Sequence, residues 1–142
     1  MLWVTKKRIK VNRAATAWLI KRFIDRDARI VFVDPDEVAR VQDRDGAKGF
    51  DAPGATYPHR DARGRCSFEA LVEEHCASDR TLQKMARIVH CADFRDDIGG
   101  APEAIGLRAI SDGFPLIAAD DDATVAGASF LYDALYASIS AG

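Results

Sequence analysis

HRDARGRCSFEALVEEHCASDRTLQKMARIVHCAD, residues 59–93, decides how this chain is read. It spells two consecutive helices. Ser67 caps the first, in which Phe68, Leu71, Val72 and His75 fall at i, i+3, i+4 and i+7 on one face, with Glu69, Glu73 and Cys76 on another. Ser78 or Asp79 opens the second, whose apolar stripe is Leu82, Met85, Ala86 and Val89. His90 and Asp93, three residues apart, emerge together on the flank of that stripe. All three histidines and all three cysteines of the chain lie in this stretch, and such a concentration of soft and borderline ligands points first to metal binding.

Working outward toward the N-terminus, the segment 46–64 is rich in Gly, Pro and Asp, with Phe50-Asp51 and Thr56-Tyr57 as candidate strands of a hairpin around Pro53-Gly54. Before it, Arg29–Val33 reads as a β-branched and aromatic strand, and Asp34-Pro35-Asp36-Glu37 as the start of a short helix through Val38 and Val41. Leu2-Trp3-Val4 reads as a first strand continued by Ile9 and Val11, after which Asn12 caps a largely buried helix over 13–25. Toward the C-terminus, Gly99-Gly100 is a break. Pro102 and Gly113 bracket a helix through Ile105, Leu107 and Ile110, and Asp120-Asp121-Asp122 opens a last one carrying Val125, Ala128, Tyr132, Leu135 and Ile139. The predicted fold is α+β: a helix-dominated single domain over residues 1–142 with a few short strands.

The 142 residues, 48% hydrophobic and 30% charged, suit one globular core. The apolar runs are too short to span a bilayer and MLWVTKKR is no signal peptide, so the expected place is the cytoplasm, with no membrane contact. Three cysteines cannot all pair, which agrees with a reducing compartment. The net charge of −2 hides an asymmetry: residues 1–29 hold nine Lys/Arg against two Asp, while residues 96–142 hold one Arg against eight Asp/Glu. Attraction between the two ends is expected. The basic part is read as a solvated face or a partner for the acidic part, since no helix-turn-helix or zinc-finger spacing occurs and contact with nucleic acid is not expected of this chain alone.

For chemistry, the strongest set is His59 from the loop, Glu69 from the first turn of one helix, and His90 with Asp93 from the next. Two imidazole nitrogens and two carboxylate oxygens suit zinc or iron(II) better than calcium or magnesium. If one of the four stands behind the others, two histidines and a carboxylate with open positions resemble a catalytic rather than a structural site. Against this stands a plainer reading, in which a His-x-x-Asp pair is a satisfied polar contact. His75 is expected in the core. Cys66 is either a ligand, a thiol activated by the helix N-terminus, or a small buried hydrophobe, and Cys76 and Cys91 are expected to be buried hydrophobes. No Walker loop, nucleophile elbow or dinucleotide fingerprint occurs.

Several segments, in order and nearly end to end, resemble the C-terminal domain of the chromate resistance protein B family. They are Trp3-Val4-Thr5, Val11-Asn12-Arg13, Trp18 to Asp25, Phe50-Asp51 with Pro53-Gly54, His59-Arg60, Cys66 to Glu69, and Ala86 to His90 with Ala92-Asp93. Pro102-Glu103-Ala104 with Gly106, and Tyr132 to Ala137, complete the set. The resemblance implies a cytoplasmic protein of chromate resistance systems, acting as a regulator or accessory factor, with a metal ion or the chromate oxyanion as partner. Longer relatives carry a further N-terminal portion, and a repressor role is not expected without it. Thr16-Ala17 stands where the family pattern has Cys-Pro, Asn12 where it has Asp, and Asp122 where it has His, so thiol chemistry from that first helix is absent and the last position offers a carboxylate. Three functions follow for testing: a metal- or oxyanion-responsive resistance domain, a metal-dependent redox enzyme acting on chromate or superoxide, and a structural protein-interaction domain. Self-association as a homodimer stays open.

Overall fold

Two runs rich in β-branched and aromatic residues, Leu2–Lys6 (β1) and Arg29–Val33 (β2), pair in parallel with Trp3 opposite Ile30 and Val4 opposite Val31. Lys48–Gly49 (β3) joins the other edge of β1, also in parallel, so the order is β2-β1-β3. Parallel neighbours need long connections. Val11–Leu19 (α1), prolonged by a π-helical turn Ile20–Ile24, supplies the first, and a 3₁₀ turn at Pro35–Glu37 followed by Val38–Asp45 (α2) supplies the second. The remainder is helical: Ser67–His75 (α3), Arg80–Asp93 (α4), Pro102–Asp112 (α5), Phe114–Ile117 (α6) and Asp121–Ala141 (α7). This computed structural model describes residues 1–142 throughout, and its helix-dominated α+β architecture is the one the sequence predicts.

Side chains alternate across β1, and the two faces of the sheet bury different cores. Trp3 belongs to a cluster of 29 buried residues shared by the helices, whereas Val4 joins Val38, Val41, Ala47 and Ala52 beneath α2. Helix α4 is central to the larger core and packs against α1, α3, α5 and α7, which leaves Leu82, Met85 and Val89 without solvent contact. Of the two residues the sequence offers at its start, Ser78 and Asp79, it is Asp79 that caps it, accepting the Leu82 N–H at 2.9 Å. No helix is long and apolar enough to cross a membrane.

The charged ends do attract each other. Asp121, at the start of α7, accepts the N–H groups of Arg8 and Ile9 at 3.0 and 2.9 Å, and Asp133 accepts the Trp18 indole N–H at 2.9 Å with Arg22 3.3 Å away. This contact also explains a departure from expectation. Arg8 adopts the left-handed conformation and the chain turns off the sheet, so β1 ends at Lys6 and Val11 begins α1. Lys10 stands at the helix cap with no capping side chain, and Asn12 lies inside the first turn. Its side-chain oxygen accepts bonds from Thr16 (3.0 Å) and Ser67 (3.2 Å) in the core.

Three other expectations are corrected. Phe50 and Tyr57 form a single parallel bridge rather than a hairpin, because the 49–57 loop is gathered by side chains instead of a ladder. Gln42 is the clamp: its carboxamide oxygen accepts the Gly49 and Thr56 N–H groups at 2.8 and 2.9 Å while its amide donates to Gly54 O at 2.9 Å. A Cβ on Gly49 would stand 2.2 Å from that oxygen, so a larger residue there would push the Gln42 side chain out of the clamp. Cys66, not Ser67, stands at the cap of α3, where the Glu69 carboxylate accepts the Cys66 N–H at 2.9 Å. His75 lies not in the core but exposed at the end of α3, beside Glu74 at 3.0 Å, since the core-facing stripe ends with Val72.

Candidate metal site

Asp51 follows β3 directly and takes a left-handed backbone conformation with φ 50°. Aspartate tolerates that region better than most residues, but such strain concentrates at functional sites. Its N–H donates to Tyr57 O at 2.8 Å, fixing the turn, and its carboxylate points inward, 5% exposed. His59 arrives from the end of the same loop and donates its Nδ1–H to Asp51 Oδ1 at 2.8 Å. Asp93, the last residue of α4, brings Oδ2 to 3.5 Å from the same Nδ1. That oxygen is buried and has no hydrogen bond. One ligand atom from each of Asp51, His59 and Asp93 lies within 4.8 Å of the others.

Two neighbouring carboxylates with one imidazole proton, which goes to Asp51 alone, form an unbalanced arrangement. Burial pushes the Asp93 carboxyl up to about 6, with the neighbouring Asp51 charge adding to the rise and His59, Arg13 and Arg108 opposing it. His59 is raised in turn, chiefly by its hydrogen bond to Asp51. The Arg13 guanidinium, 3.8 Å from Asp51 Oδ2, is the nearest fixed cation, and burial lowers its own pKa. An orphaned buried oxygen, a second carboxylate and an imidazole are the donors a borderline divalent ion takes, and the ion would replace the Nδ1 proton that His59 now gives to Asp51.

His90 and Glu69 are engaged elsewhere. His90 Nδ1 lies 2.5 Å from Glu69 Oε1 and its Nε2 2.7 Å from Asp97 Oδ2, so each ring nitrogen faces a carboxylate. That hydrogen bond is the main reason the Asp97 carboxyl falls below the usual range. Glu69 Oε1 is the atom that caps α3, which makes this group a brace between α3, α4 and the 3₁₀ turn Arg95–Gly100. Phe94, 6% exposed, joins the two groups. Its ring meets the His59 and His90 rings edge-on with centroids 5.1 and 4.7 Å away, while the Arg60 guanidinium lies 4.2 Å from its centroid.

Of the four residues expected to share an ion, the structure therefore brings His59 to Asp93 and, separately, Glu69 to His90. Asp51 completes the first cluster and lies outside the expected ligand set; its one signal in the sequence is a place in the Phe50-Asp51 family segment. Cys66 is fully buried and burial pushes its thiol well above the ordinary range, which removes the activated-thiol reading. Cys91 is buried as expected, Cys76 partly so, and all three cysteines are free.

Beside the cluster lies a cleft of about 140 Å³ lined by Lys6, Lys10, Asn12, Arg13, Arg108 and Asp112 in addition to the three candidate ligands. A larger cleft of about 440 Å³ near Tyr57 and Arg63 carries charges already paired, Arg63 and Arg65 with Glu73 and Tyr57 with Glu74.

Comparison with known proteins agrees with the motif order. The family described as ChrB, C-terminal domain, matches residues 3–139. Protein ChrB of Cupriavidus metallidurans is 34% identical over 141 residues, covering 97% of this chain and 40% of that protein, so the chain spans about two fifths of the length of that relative. No solved structure matches. With a family match over nearly its whole length and the resembling segments in their expected order, this chain belongs to the ChrB C-terminal domain family, the chromate resistance family its sequence resembles.

Proposed function

We propose that this is a metal-binding domain of a chromate resistance system, holding zinc or iron(II) on Asp51, His59 and Asp93 and responding to metal or chromate in the cytoplasm. One observation carries the reading: the buried, unpartnered Asp93 Oδ2 lies 3.5 Å from His59 Nδ1, in a group in which ligand atoms of Asp51, His59 and Asp93 all lie within 4.8 Å of one another. Without an ion, that geometry costs stability; with one, every donor has a partner. Glu69 and His90 act behind the ligands, fixing the end of α4 from which Asp93 projects. Three free thiols fit a reducing compartment.

Metal content decides it. Protein loaded with Zn(II) or anaerobic Fe(II) and then desalted is expected to retain about one ion per chain, and the Asp51→Asn/Asp93→Asn double variant close to none with its circular dichroism unchanged. Equal retention by both, or none by either, would refute the assignment. A redox enzyme remains the second reading, favoured by three protein ligands beside an open cleft, the pattern of catalytic rather than structural metal sites. Loss of chromate or superoxide by loaded protein no faster than by the free ion would remove it.

A further inference from the structure

The cleft beside Asp51, His59 and Asp93 has features that a cation alone does not explain. Its wall is the N-terminus of α1, formed by Lys10, Val11, Asn12 and Arg13. No side chain caps that helix and its first turn holds no acid, so the positive end of its dipole, at residues that line the cleft, is not offset by a side chain of its own. Asn12 supplies an independent sign. The residue is 2% exposed; its side-chain oxygen is taken by Thr16 and Ser67, and its amide nitrogen is buried with no hydrogen bond. A buried NH₂ without an acceptor is costly, and here it sits in the wall of a cleft large enough for more than a single water.

Charge points the same way. Lys6, Lys10, Arg13 and Arg108 face Asp51, Asp93 and Asp112, which leaves one positive charge in excess while His59 is neutral. A divalent ion on the three ligands raises the excess to three. The cations are only loosely committed: Lys10 is 3.9 Å from Asp112, Arg13 is 3.8 Å from Asp51, and the guanidinium of Arg108 is held by the carbonyls of Ala92 and Asp93 rather than by an acid. Such an enclosure attracts an anion once the metal is in place.

We propose that the cleft is a metal-dependent oxyanion site, in which a small tetrahedral dianion of the sulfate, molybdate and chromate class binds against the α1 N-terminus and accepts from Asn12 Nδ2, with Lys10 and Arg13 as its counter-charges. The inference rests on the metal assignment and deepens it: the ion and the anion occupy adjoining halves of one site, and each strengthens the other by the same factor.

Calorimetric titration of sulfate into Zn(II)-loaded and chelator-treated protein tests it. Binding to loaded protein is expected, weakened at least about tenfold when the metal is removed. Asn12→Asp keeps an oxygen for Thr16 and Ser67 but puts a carboxylate toward the anion; it is expected to weaken sulfate at least about tenfold while zinc binds as well or better. Lys10→Gln, at a half-exposed position outside the core, is expected to weaken sulfate by a smaller factor with no change in melting temperature, and so separates lost binding from lost folding. No sulfate binding to loaded protein, or sulfate affinity unmoved by both variants, would overturn the proposal. Sulfate binding equally well with and without zinc would overturn the dependence on metal, whereas failure of zinc itself to bind would count against the metal assignment first.

Discussion

Replacing Asp93 by Asn should make the metal-free protein more stable, although Asp93 is a largely covered polar residue, its side chain 14% exposed, at the end of the central helix. Its carboxyl titrates at about 6 in the folded chain against an ordinary value of 3.8, a rise caused first by burial and then by Asp51. Above pH 6 the carboxylate is ionised in both states, and the folded state bears the full cost. Below pH 3.8 it is protonated in both, and the cost is gone. The wild type therefore gains stability from this group as pH falls from 7 toward 4, the reverse of the usual salt-bridged aspartate. Roughly two pKa units at about 1.4 kcal/mol each put the cost near 3 kcal/mol at pH 7.5 and about half that at pH 5. Asparagine removes the charge but brings an amide that must find a partner, with Asp51 in reach, so the expected net gain is about 1–3 kcal/mol at pH 7.5. Urea denaturation in chelator at the two pH values measures it. Saturating zinc should reverse the order, because the wild type gains about 4 kcal/mol at a thousandfold excess over Kd and the variant does not. A variant less stable than wild type at pH 7.5 without metal, or an order that zinc leaves unchanged, would refute the reasoning.

Gln42→Ala removes the clamp on the loop that carries Asp51; about 1–2 kcal/mol of stability and a measurable part of zinc affinity should go with it, read by denaturation and by competition with a chromophoric chelator. Phe94→Ala opens a cavity under both histidines and should cost about 3–5 kcal/mol in thermal or urea unfolding. His90→Gln should lower stability by about 1–3 kcal/mol yet leave zinc stoichiometry intact, since His90 is committed to Glu69 and Asp97; loss of the metal would mean that His90 joins the ligands when the ion binds. Thiol labelling of the native protein should modify Cys76 alone, with Cys66 and Cys91 reacting only after unfolding.

Much of the fold was legible because the elements obey local rules. Asp79 caps the helix that Ser78 or Asp79 is expected to open, Asp120 caps the one expected to start in the Asp120–Asp122 run, Arg29–Val33 is the strand its β-branched run describes, and Leu82, Met85 and Val89 fill the core at helical spacing. What escaped was decided by partners distant in sequence. The continuation of β1 through Ile9 and Val11 fails because Asp121, more than a hundred residues later, takes the Arg8 and Ile9 amides. The hairpin over 50–57 fails because Gln42 supplies the acceptor that a ladder would have supplied.

The site divides along the same line. His59 and Asp93 were visible as ligand types in a cluster, and their meeting needed only that the loop fold back on α4. Asp51 was hidden in a loop full of Asp, Gly and Pro, where an acid is ordinarily solvated; only the left-handed turn after β3, held by Tyr57 O and by the Gln42 clamp, buries it. Glu69 and His90 show the converse. Their residue types and spacing matched a ligand set as well as those of His59 and Asp93 did, but Glu69 was already needed at the Cys66 cap, and that bond holds its carboxylate where His90 Nδ1 reaches it. A carboxylate in the first turn of a helix has a structural use before it has a chemical one, whereas the last residue of α4 has no such duty, and it is there that a buried oxygen is left without a partner.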